Sequence, residues 1–275
     1  MHFRTFNVEA RSRVLCVSAR DGVPVSTQWD PRGYYYPTQI AQFALSHYSS
    51  HVSNKNMATE KTVIEDGNRR VDIADQAGKR ILDEESDSMV IEFKEKLSLP
   101  VSSTHVVVNF DLKNINGATF KIFLQTDSSN EIILHYQPID DFLVRRHGDI
   151  VFGYGSSEDG DWFRVTRDVA NDLEKTLSFL KTPNVNTKKL RASVRVTRIE
   201  FSGRGRVANI SLSAAEHRRM FLHGAEWFVE NQDPVTGGWP TPVTFNRDQK
   251  KYPGAKEIQA GWYGAMCQVN IDFNH

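Results

Sequence analysis

The chain has 275 residues, long enough for two domains, and carries 34 basic and 34 acidic side chains. This balance excludes the overall positive field typical of nucleic-acid-binding proteins, so an acidic partner would need a local basic patch. Two cysteines, Cys16 and Cys267, are too few for a disulfide framework, and Cys16, in an apolar run, is predicted to be a buried thiol. The N-terminal residues contain no apolar segment of signal-peptide or membrane-spanning length.

The first predicted element is a strand over residues 6–19, in which Glu9, Arg11 and Arg13 share one face. Two arginines on one face can hold a carboxylate or a sulfate through paired hydrogen bonds. A solvated face with a Glu–Arg pair gives the same spacing. The pattern alone leaves both interpretations open.

Residues 25–48, VSTQWDPRGYYYPTQIAQFALSHY, concentrate tyrosines and glutamines. Pro31 and Gly33 indicate a turn, and Pro37 suits the first turn of a helix that continues with apolar residues at helical spacing. Aromatic faces beside uncharged amides are the groups that a sugar site needs, since rings stack on the C–H faces of a sugar and amides bind its hydroxyls. A turn and a helix with ordinary core contacts would have the same composition.

A polar connector over residues 51–87 is followed by an all-β module, a sandwich or barrel, over residues 88–213. The turn pair Asn116-Gly117 separates two of its predicted strands. Asp168 is predicted to cap a helix over 168–180, with Leu173, Leu177 and Leu180 buried. The predicted strands are 89–93, 106–112, 119–125, 131–136, 149–154, 162–167, 190–199 and 207–212.

The pattern becomes helical at Ala214 and predicts a helix to about Asn231, with an apolar stripe along one face. The sequence DPVTGGWP then gives a turn, and a second helix is predicted near Gly261. A helix, a GGWP-type turn and a second helix are typical of the start of an α/α-toroid domain. The predicted fold is therefore mainly β, with an N-terminal strand-plus-helix segment (1–50) and the first helices of a toroid (214–275).

Several long stretches of this chain resemble one family. They are residues 6–48, the sequences NQDPVTGGWP (231–240) and GWYGAMCQ (261–268), and the islands WFRVTRDVANDLEKTL (162–177) and RGRVANISLSAAEH (204–217). Together they resemble the heparan sulfate (heparosan-N-sulfate) D-glucuronyl C5-epimerases, over most of the chain from residue 6 to 268. Unrelated residue types agree in order over these runs, which makes the resemblance specific.

The resemblance implies an isomerase that converts D-glucuronate to L-iduronate in N-sulfated heparosan, by removal and return of the C5 proton, without a cofactor. The family's catalytic tyrosines match no position here and are expected beyond His275, so the chain is expected to be a truncated or partial product. A calcium site is implied, but the aspartate that supports it in the family corresponds to Ala208. No metal ligand is therefore assigned.

The resemblance also implies a set of substrate contacts. They are Arg11, Gln28, Tyr36, Gln39 and Gln42, with Asn246 and Arg247 as weaker candidates. Asn209, in the sequon Asn209-Ile-Ser211, is a glycosylation candidate. The family members are Golgi type II membrane proteins with an N-terminal anchor, and they tend to be homodimers, so Met1 is expected to correspond to an internal family position.

Two other functions stay open at this point. The β module and the Gln/Tyr segment could form a non-catalytic heparan-type glycan-binding fragment. A uronate polysaccharide lyase on a related toroid scaffold would also abstract the C5 proton, but it would eliminate the 4-linked sugar. An ultraviolet-absorbing unsaturated product separates the lyase from the epimerase.

Overall fold

The structure, a computed structural model, describes residues 3–28, 30–53, 60–65, 78–83, 88–127, 131–155, 160–182, 187–235 and 237–239. The chain divides into two compact units. The first is formed by Met1–Leu15, Val23–Ser53 and His217–His275, and the second by Cys16–Gly22 and Asn54–Glu216. In the described ranges no helix is long and apolar enough to cross a membrane. The four-segment division expected from the sequence stays a prediction.

Twelve strands and four α-helices are present in the described residues, after two short 3-10 turns at Phe3–Thr5 and Val8–Ala10. The strands are β1 (Val14–Val17), β2 (Pro24–Ser26), β3 (Tyr34–Tyr35), β4 (Lys61–Glu65), β5 (Gly78–Asp83), β6 (Ser88–Ser103), β7 (Val107–Gln125), β8 (Glu131–Gln137), β9 (Leu143–Arg146), β10 (Asp149–Gly153), β11 (Trp162–Asp168) and β12 (Arg195–Ser213). The helices are α1 (Pro37–Ser53), α2 (Val169–Phe179), α3 (Thr187–Ser193) and α4 (His217–Glu230).

The predicted strand over residues 6–19 is wrong except at β1. Asn7 has a left-handed φ of 31°, and the following residues form a 3-10 turn. The Arg11 N–H donates to the Val8 carbonyl at 3.1 Å, and the Val14 N–H donates to the Arg11 carbonyl at 3.0 Å. Hydrogen bonds between residues three apart form turns, so Arg11 and Arg13 do not lie on a strand face, although Arg11 itself has extended angles (φ −67°, ψ 141°).

The helix predicted to begin at Pro37 is confirmed as α1, whose buried residues include Ile40, Phe43 and Ala44. In the first unit α1 packs on α4 at a close approach. A Cβ added to Gly224 would lie 2.7 Å from the Cβ of Ala44, so only glycine lets the two helices meet at this distance. Trp227 and Phe228 of α4 pack with α1 in one apolar cluster.

The second unit is built on a nine-stranded sheet, so the mainly β prediction is confirmed. Strands run in the order β5-β6-β12-β7-β8-β10-β9, with β11 paired to β7 and β4 paired to β12. β12 is antiparallel to both of its long neighbours, β6 and β7. Their inward-facing aromatic and aliphatic side chains form the core, in which the Phe120 and Tyr136 rings stack with centroids 4.4 Å apart.

The predicted hairpin at Asn116-Gly117 is wrong, because β7 runs through it as one strand. Asn116 pairs with Arg204 of β12, and Gly117, with a φ of 58°, makes an irregularity instead of a chain reversal. The strand expected over 190–199 begins only at Arg195, because α3 occupies the residues before it.

The helix expected over 168–180 is confirmed as α2. Its N-cap is Asp168, whose Oδ1 accepts from the Asn171 N–H at 3.1 Å. Leu173 is fully buried as expected, but Leu180 is 44% exposed because it lies beyond the last helical residue. β9 carries no strand prediction from the sequence.

The second unit buries an ion pair that the sequence pattern does not reveal. Arg167 donates through Nε and Nη2 to the Asp172 carboxylate at 2.9 and 2.6 Å, and the Tyr136 hydroxyl donates to Asp172 Oδ2 at 2.7 Å. The guanidinium also donates to the carbonyls of Val17 and Ser18. Burial opposes the charge on Arg167, but the paired carboxylate raises the pKa of Arg167 above its ordinary value. Each polar group of the pair is therefore satisfied inside the core.

The helix expected over 214–231 is confirmed as α4, and a turn follows it. The Gly237 N–H donates to the Asp233 carbonyl at 2.8 Å, and the Trp239 Nε1–H donates to the Phe228 carbonyl at 2.6 Å. The indole therefore satisfies a carbonyl of the last helical turn. The second helix, predicted near Gly261, lies outside the described residues, so the toroid stays a prediction.

Candidate functional site

The structure brings together two of the predicted site residues, Arg11 and Gln42, at the start of the first unit. Arg11 Nη1 donates to Gln42 Oε1 at 2.8 Å, and Arg11 Nη2 donates to the Phe6 carbonyl at 3.0 Å. Because the 3-10 turn at Val8–Ala10 precedes it, the Arg11 side chain reaches α1 across 31 residues of sequence. Partial burial, and then repulsion from Arg13, lower the pKa of Arg11. The guanidinium stays charged at neutral pH, with its orientation fixed by two acceptors.

Gln39 lies one helical turn before Gln42 on α1 and is 2% exposed. Among the residues that the structure describes, neither its amide oxygen nor its amide nitrogen has a hydrogen-bond partner. A buried amide without partners is destabilising, so such a group needs an explanation beyond packing. Residues three apart on a helix are neighbours on its surface, so the Gln39 and Gln42 positions share one face of α1.

Gln28 belongs to a different local pair. Arg13 Nη1 donates to Gln28 Oε1 at 3.4 Å, and both side chains are exposed. The Thr27 N–H donates to the Arg13 carbonyl at 2.8 Å, which holds the segment after β2 against the turn that carries Arg13. Arg13 is thus a further cation at this end of the unit that the predicted set of contacts does not include.

Tyr36 is half-buried and lies directly before α1, with its ring 6.2 Å from the Tyr34 ring. The neighbouring tyrosines are used in packing: Tyr34 is buried, and Tyr35 meets the Trp227 ring edge-on at 5.7 Å. Whether Tyr36 contacts a ligand stays a prediction. The predicted contacts Asn246 and Arg247 lie outside the described residues.

A histidine pair, buried at His47 and half-buried at His217, is a feature that the sequence reasoning missed. His47 Nδ1 lies 2.8 Å from His217 Nδ1, and Glu9 Oε1 lies 3.8 Å from His47 Nε2. Burial, and then the neighbouring His217, lower the pKa of His47 to about 3. His47 is therefore neutral at neutral pH, and the pair joins the last part of α1 to the first residue of α4. No local signal could reveal a contact across 170 positions.

The residues around Ala208 do not fit the calcium ion that the family resemblance implies. Ala208 pairs with Asp111 across the β12–β7 ladder and offers no ligand. Arg164 holds both Asp111 oxygens, at 2.6 and 2.7 Å, and Asn209 Nδ2 donates to Asp111 Oδ2 at 2.6 Å. A guanidinium thus already neutralises this carboxylate. In the described part of the chain no group of three His, Cys, Asp or Glu side chains is placed to hold a metal.

Asn209, the glycosylation candidate, is exposed and has a left-handed φ of 53°. Its amide donates to Asp111, and a glycan attached to this nitrogen would leave it one N–H with which to donate. The modification itself stays a prediction.

Comparison with known proteins finds similarity to one family. Residues 86–204 match the model of the D-glucuronyl C5-epimerase β-sandwich domain. A D-glucuronyl C5-epimerase of Caenorhabditis elegans is 28% identical to this chain over an alignment of 312 residues, which covers 97% of the chain. Both matches support the resemblance of this chain to the D-glucuronyl C5-epimerases. The chain spans 50% of the length of that epimerase from C. elegans.

Among solved structures, a family 29 carbohydrate binding module is similar to 59% of this chain, with 13% identity, 94% of the module covered and a TM-score of 0.32. A single-residue variant of the module CBM29-2 is similar to 58% of the chain, with 14% identity, 96% of the module covered and a TM-score of 0.31.

Proposed function

We propose that this epimerase-like chain binds N-sulfated heparosan through the first unit, as part of a protein that converts D-glucuronate to L-iduronate in that polymer. The observation that carries the proposal is the Arg11–Gln42 hydrogen bond, on the same helix and one turn after the unpartnered amide of Gln39. The similarity to the epimerases supports the reaction, and the chemistry of these side chains supports the binding of an acidic sugar.

The chemistry of these side chains suits an acidic, hydroxyl-rich polymer. A guanidinium donates paired hydrogen bonds to a carboxylate or an N-sulfate, and it keeps its orientation because Gln42 and the Phe6 carbonyl hold it. Amides can donate to and accept from sugar hydroxyls. A hydroxyl that reaches Gln39 would satisfy polar atoms that are otherwise buried without partners.

The proposed reaction exchanges one proton for another and changes no oxidation state. A base removes the C5 proton of the D-glucuronate unit, and an acid returns a proton to the opposite face. The carbanion is tolerable only if positive charge or hydrogen-bond donors neutralise the C6 carboxylate. We assign the acid and the base to tyrosines of the family's helical domain, which match no position of this sequence. The described residues then bind and orient the polymer, and the chemistry needs no cofactor.

The binding proposal is tested by calorimetric titration of an N-sulfated heparosan oligosaccharide into the 275-residue chain and its variants. Arg11→Ala and Gln42→Ala should each weaken binding by about tenfold or more, the loss of roughly one charge-assisted contact. Arg218→Ala is the matched control, since this exposed arginine on α4 carries the same charge. If both site variants bind like the wild type and the control, the site assignment is wrong.

The reaction class is tested separately, in deuterated water with the same oligosaccharide. For this chain we expect binding without deuterium at C5, because the catalytic tyrosines have no counterpart here. This is also the outcome for a purely glycan-binding protein, so the test is repeated with a chain that includes the helical domain. Deuterium exchange at C5 by that longer chain supports the epimerase reaction. An ultraviolet-absorbing unsaturated product would identify the reaction as that of a lyase.

For the whole protein we propose a Golgi-lumenal location and a homodimer, both from the similarity to the epimerases. Microscopy of a tagged protein against a Golgi marker tests the location. Sedimentation of the purified whole protein tests the oligomeric state.

A further inference from the structure

Three neighbouring strands of the second unit are irregular at positions that face one another across the sheet. Glu95 on β6, Gly203 on β12 and Gly117 on β7 have left-handed φ values of 73°, 87° and 58°. Gly203 is paired with Glu95, and the β12–β7 register shifts between Ser202 and Arg204. A glutamate with positive φ is uncommon, and such residues persist where the surrounding structure holds them.

Two glycines fix the path of β12 on either side of Arg204. A Cβ at Gly203 would lie 2.5 Å from the Gly117 carbonyl oxygen. A Cβ at Gly205 would lie 2.7 Å from the Phe93 ring and 2.8 Å from a β7 carbonyl. The register shifts again between Arg204 and Gly205. Bulges of this kind redirect side chains, and here the redirected side chain is Arg204.

The irregularity lines an open cavity of about 490 Å³, which we name the bulge pocket. Its lining residues are Lys94, Glu95, Asn116, Gly203 and Arg204. This volume lies within the range of about 300–1,000 Å³ typical of small-molecule sites. The pocket therefore has room for more than an ion.

The residues that line the bulge pocket include two cations, Lys94 and Arg204, and one carboxylate, Glu95. Within the described ranges Arg204 makes no ion pair and no side-chain hydrogen bond, and it is exposed. Lys94 is 64% exposed, and its Nζ lies 3.7 Å from Glu92, a distance too long for a firm hydrogen bond. Both cations can therefore take a new partner without breaking a strong contact. Glu95 and Asn116 add acceptors, and Asn116 also adds a donor.

We propose that the bulge pocket is a second binding site, for an acidic sugar unit of a polysaccharide. Lys94 and Arg204 donate to the carboxylate or sulfate of the sugar, while Glu95 and Asn116 accept hydrogen bonds from its hydroxyls. None of the described residues that line the pocket carries a ring on which a sugar face could stack, so the cations select anionic sugars over neutral ones. The choice of glycan rests on the proposed function, but the pocket lies in the other unit and is tested by different residues.

The experiment titrates the 275-residue chain with three probes at low salt: a heparosan oligosaccharide, its N-sulfated form and a neutral dextran oligosaccharide. Arg204→Gln together with Lys94→Gln should weaken binding of the acidic probes by about tenfold, and the remaining affinity should vary less with salt. Dextran should not bind at the pocket. Equal affinity for heparosan and its N-sulfated form would identify the carboxylate as the group bound, and tighter binding of the sulfated form would identify the sulfate.

The matched control combines Arg145→Gln with Arg146→Gln, which removes two exposed cations from β9 in the same unit. If the pocket variant binds no more weakly than this control, or if dextran competes with heparosan, the inference is wrong. The same variants are also made with Arg11→Ala and Gln42→Ala in the first unit. If binding weakens only in the first-unit variants, the proposed function is supported and the bulge pocket is not a binding site. If binding weakens only in the pocket variants, the bulge pocket is supported and the first-unit site is wrong.

Discussion

Gln39 offers a prediction in which folding and binding oppose each other. Its amide is 2% exposed and without a partner among the described residues. Leaving a buried amide unpaired destabilises a protein by about 1–3 kcal/mol. Methionine has a similar volume and a similar helix propensity, so Gln39→Met should remove the penalty without creating a cavity or weakening α1. We expect its unfolding free energy to rise by about 1–3 kcal/mol relative to the wild type.

The assay is urea unfolding followed by tryptophan fluorescence, which reports on this unit through Trp227 and Trp239. In a thermal scan the gain should appear as a rise in Tm of roughly 2–4 °C per kcal/mol. Gln42→Met is the control on the same helix, and it should lower stability because it leaves Arg11 Nη1 without its acceptor. A fall in stability of more than about 1 kcal/mol for Gln39→Met would refute the reasoning, since it would mean that the amide is satisfied in the folded chain.

Three further changes test the packing and the charges. Arg167→Met should lower the unfolding free energy by about 3–5 kcal/mol, because it leaves the Asp172 carboxylate buried without its cation. Denaturant unfolding measures this loss. A loss below about 1 kcal/mol would contradict the proposed contribution of the ion pair. Gly224→Val should destabilise by about 1–3 kcal/mol through its clash with Ala44, and Ala44→Gly in the same chain should restore part of the loss. Because burial and a neighbouring histidine lower the pKa of His47 to about 3, its unfolded form takes up a proton near pH 6.5 that the folded form refuses. The unfolding free energy should therefore fall as pH drops from about 6.5 towards 3, by at most about 1.4 kcal/mol per pH unit from this group. If the unfolding free energy of a His47→Gln variant has the same pH profile, His47 is not the cause of this fall.

Local sequence signals were sufficient where one segment determines its own structure. Pro37 at the first position and the apolar spacing after it predict α1, and Asp168 predicts the start of α2. The same reasoning failed where a neighbouring strand decides. Asn116-Gly117 has the composition of a hairpin turn, but β12 pairs on both sides of it, so β7 continues. Hydrogen bonding to a long partner overrides a turn preference of two residues.

The candidate site was likewise predictable only in part. The sequence and its family resemblance pointed to Arg11, Gln39 and Gln42, but the strand assumed for Arg11 was wrong. Its contact with Gln42 depends on a 3-10 turn that no alternation pattern indicates. The redirected Arg204 is less predictable still, because its direction depends on two shifts in the pairing of β12 with β7.

The central claim is that the first unit holds an acidic glycan at the buried amide of Gln39, and one comparison tests it most directly. The Tm of the wild type and of Gln39→Met is measured without ligand and with saturating N-sulfated heparosan oligosaccharide. Ligand binding to the folded state raises stability by RT ln(1 + [L]/Kd), so the tighter binder gains more. We expect the variant to melt higher without ligand and the wild type to gain more with it, so that the difference shrinks or reverses. An equal rise in Tm for both proteins would contradict the claim.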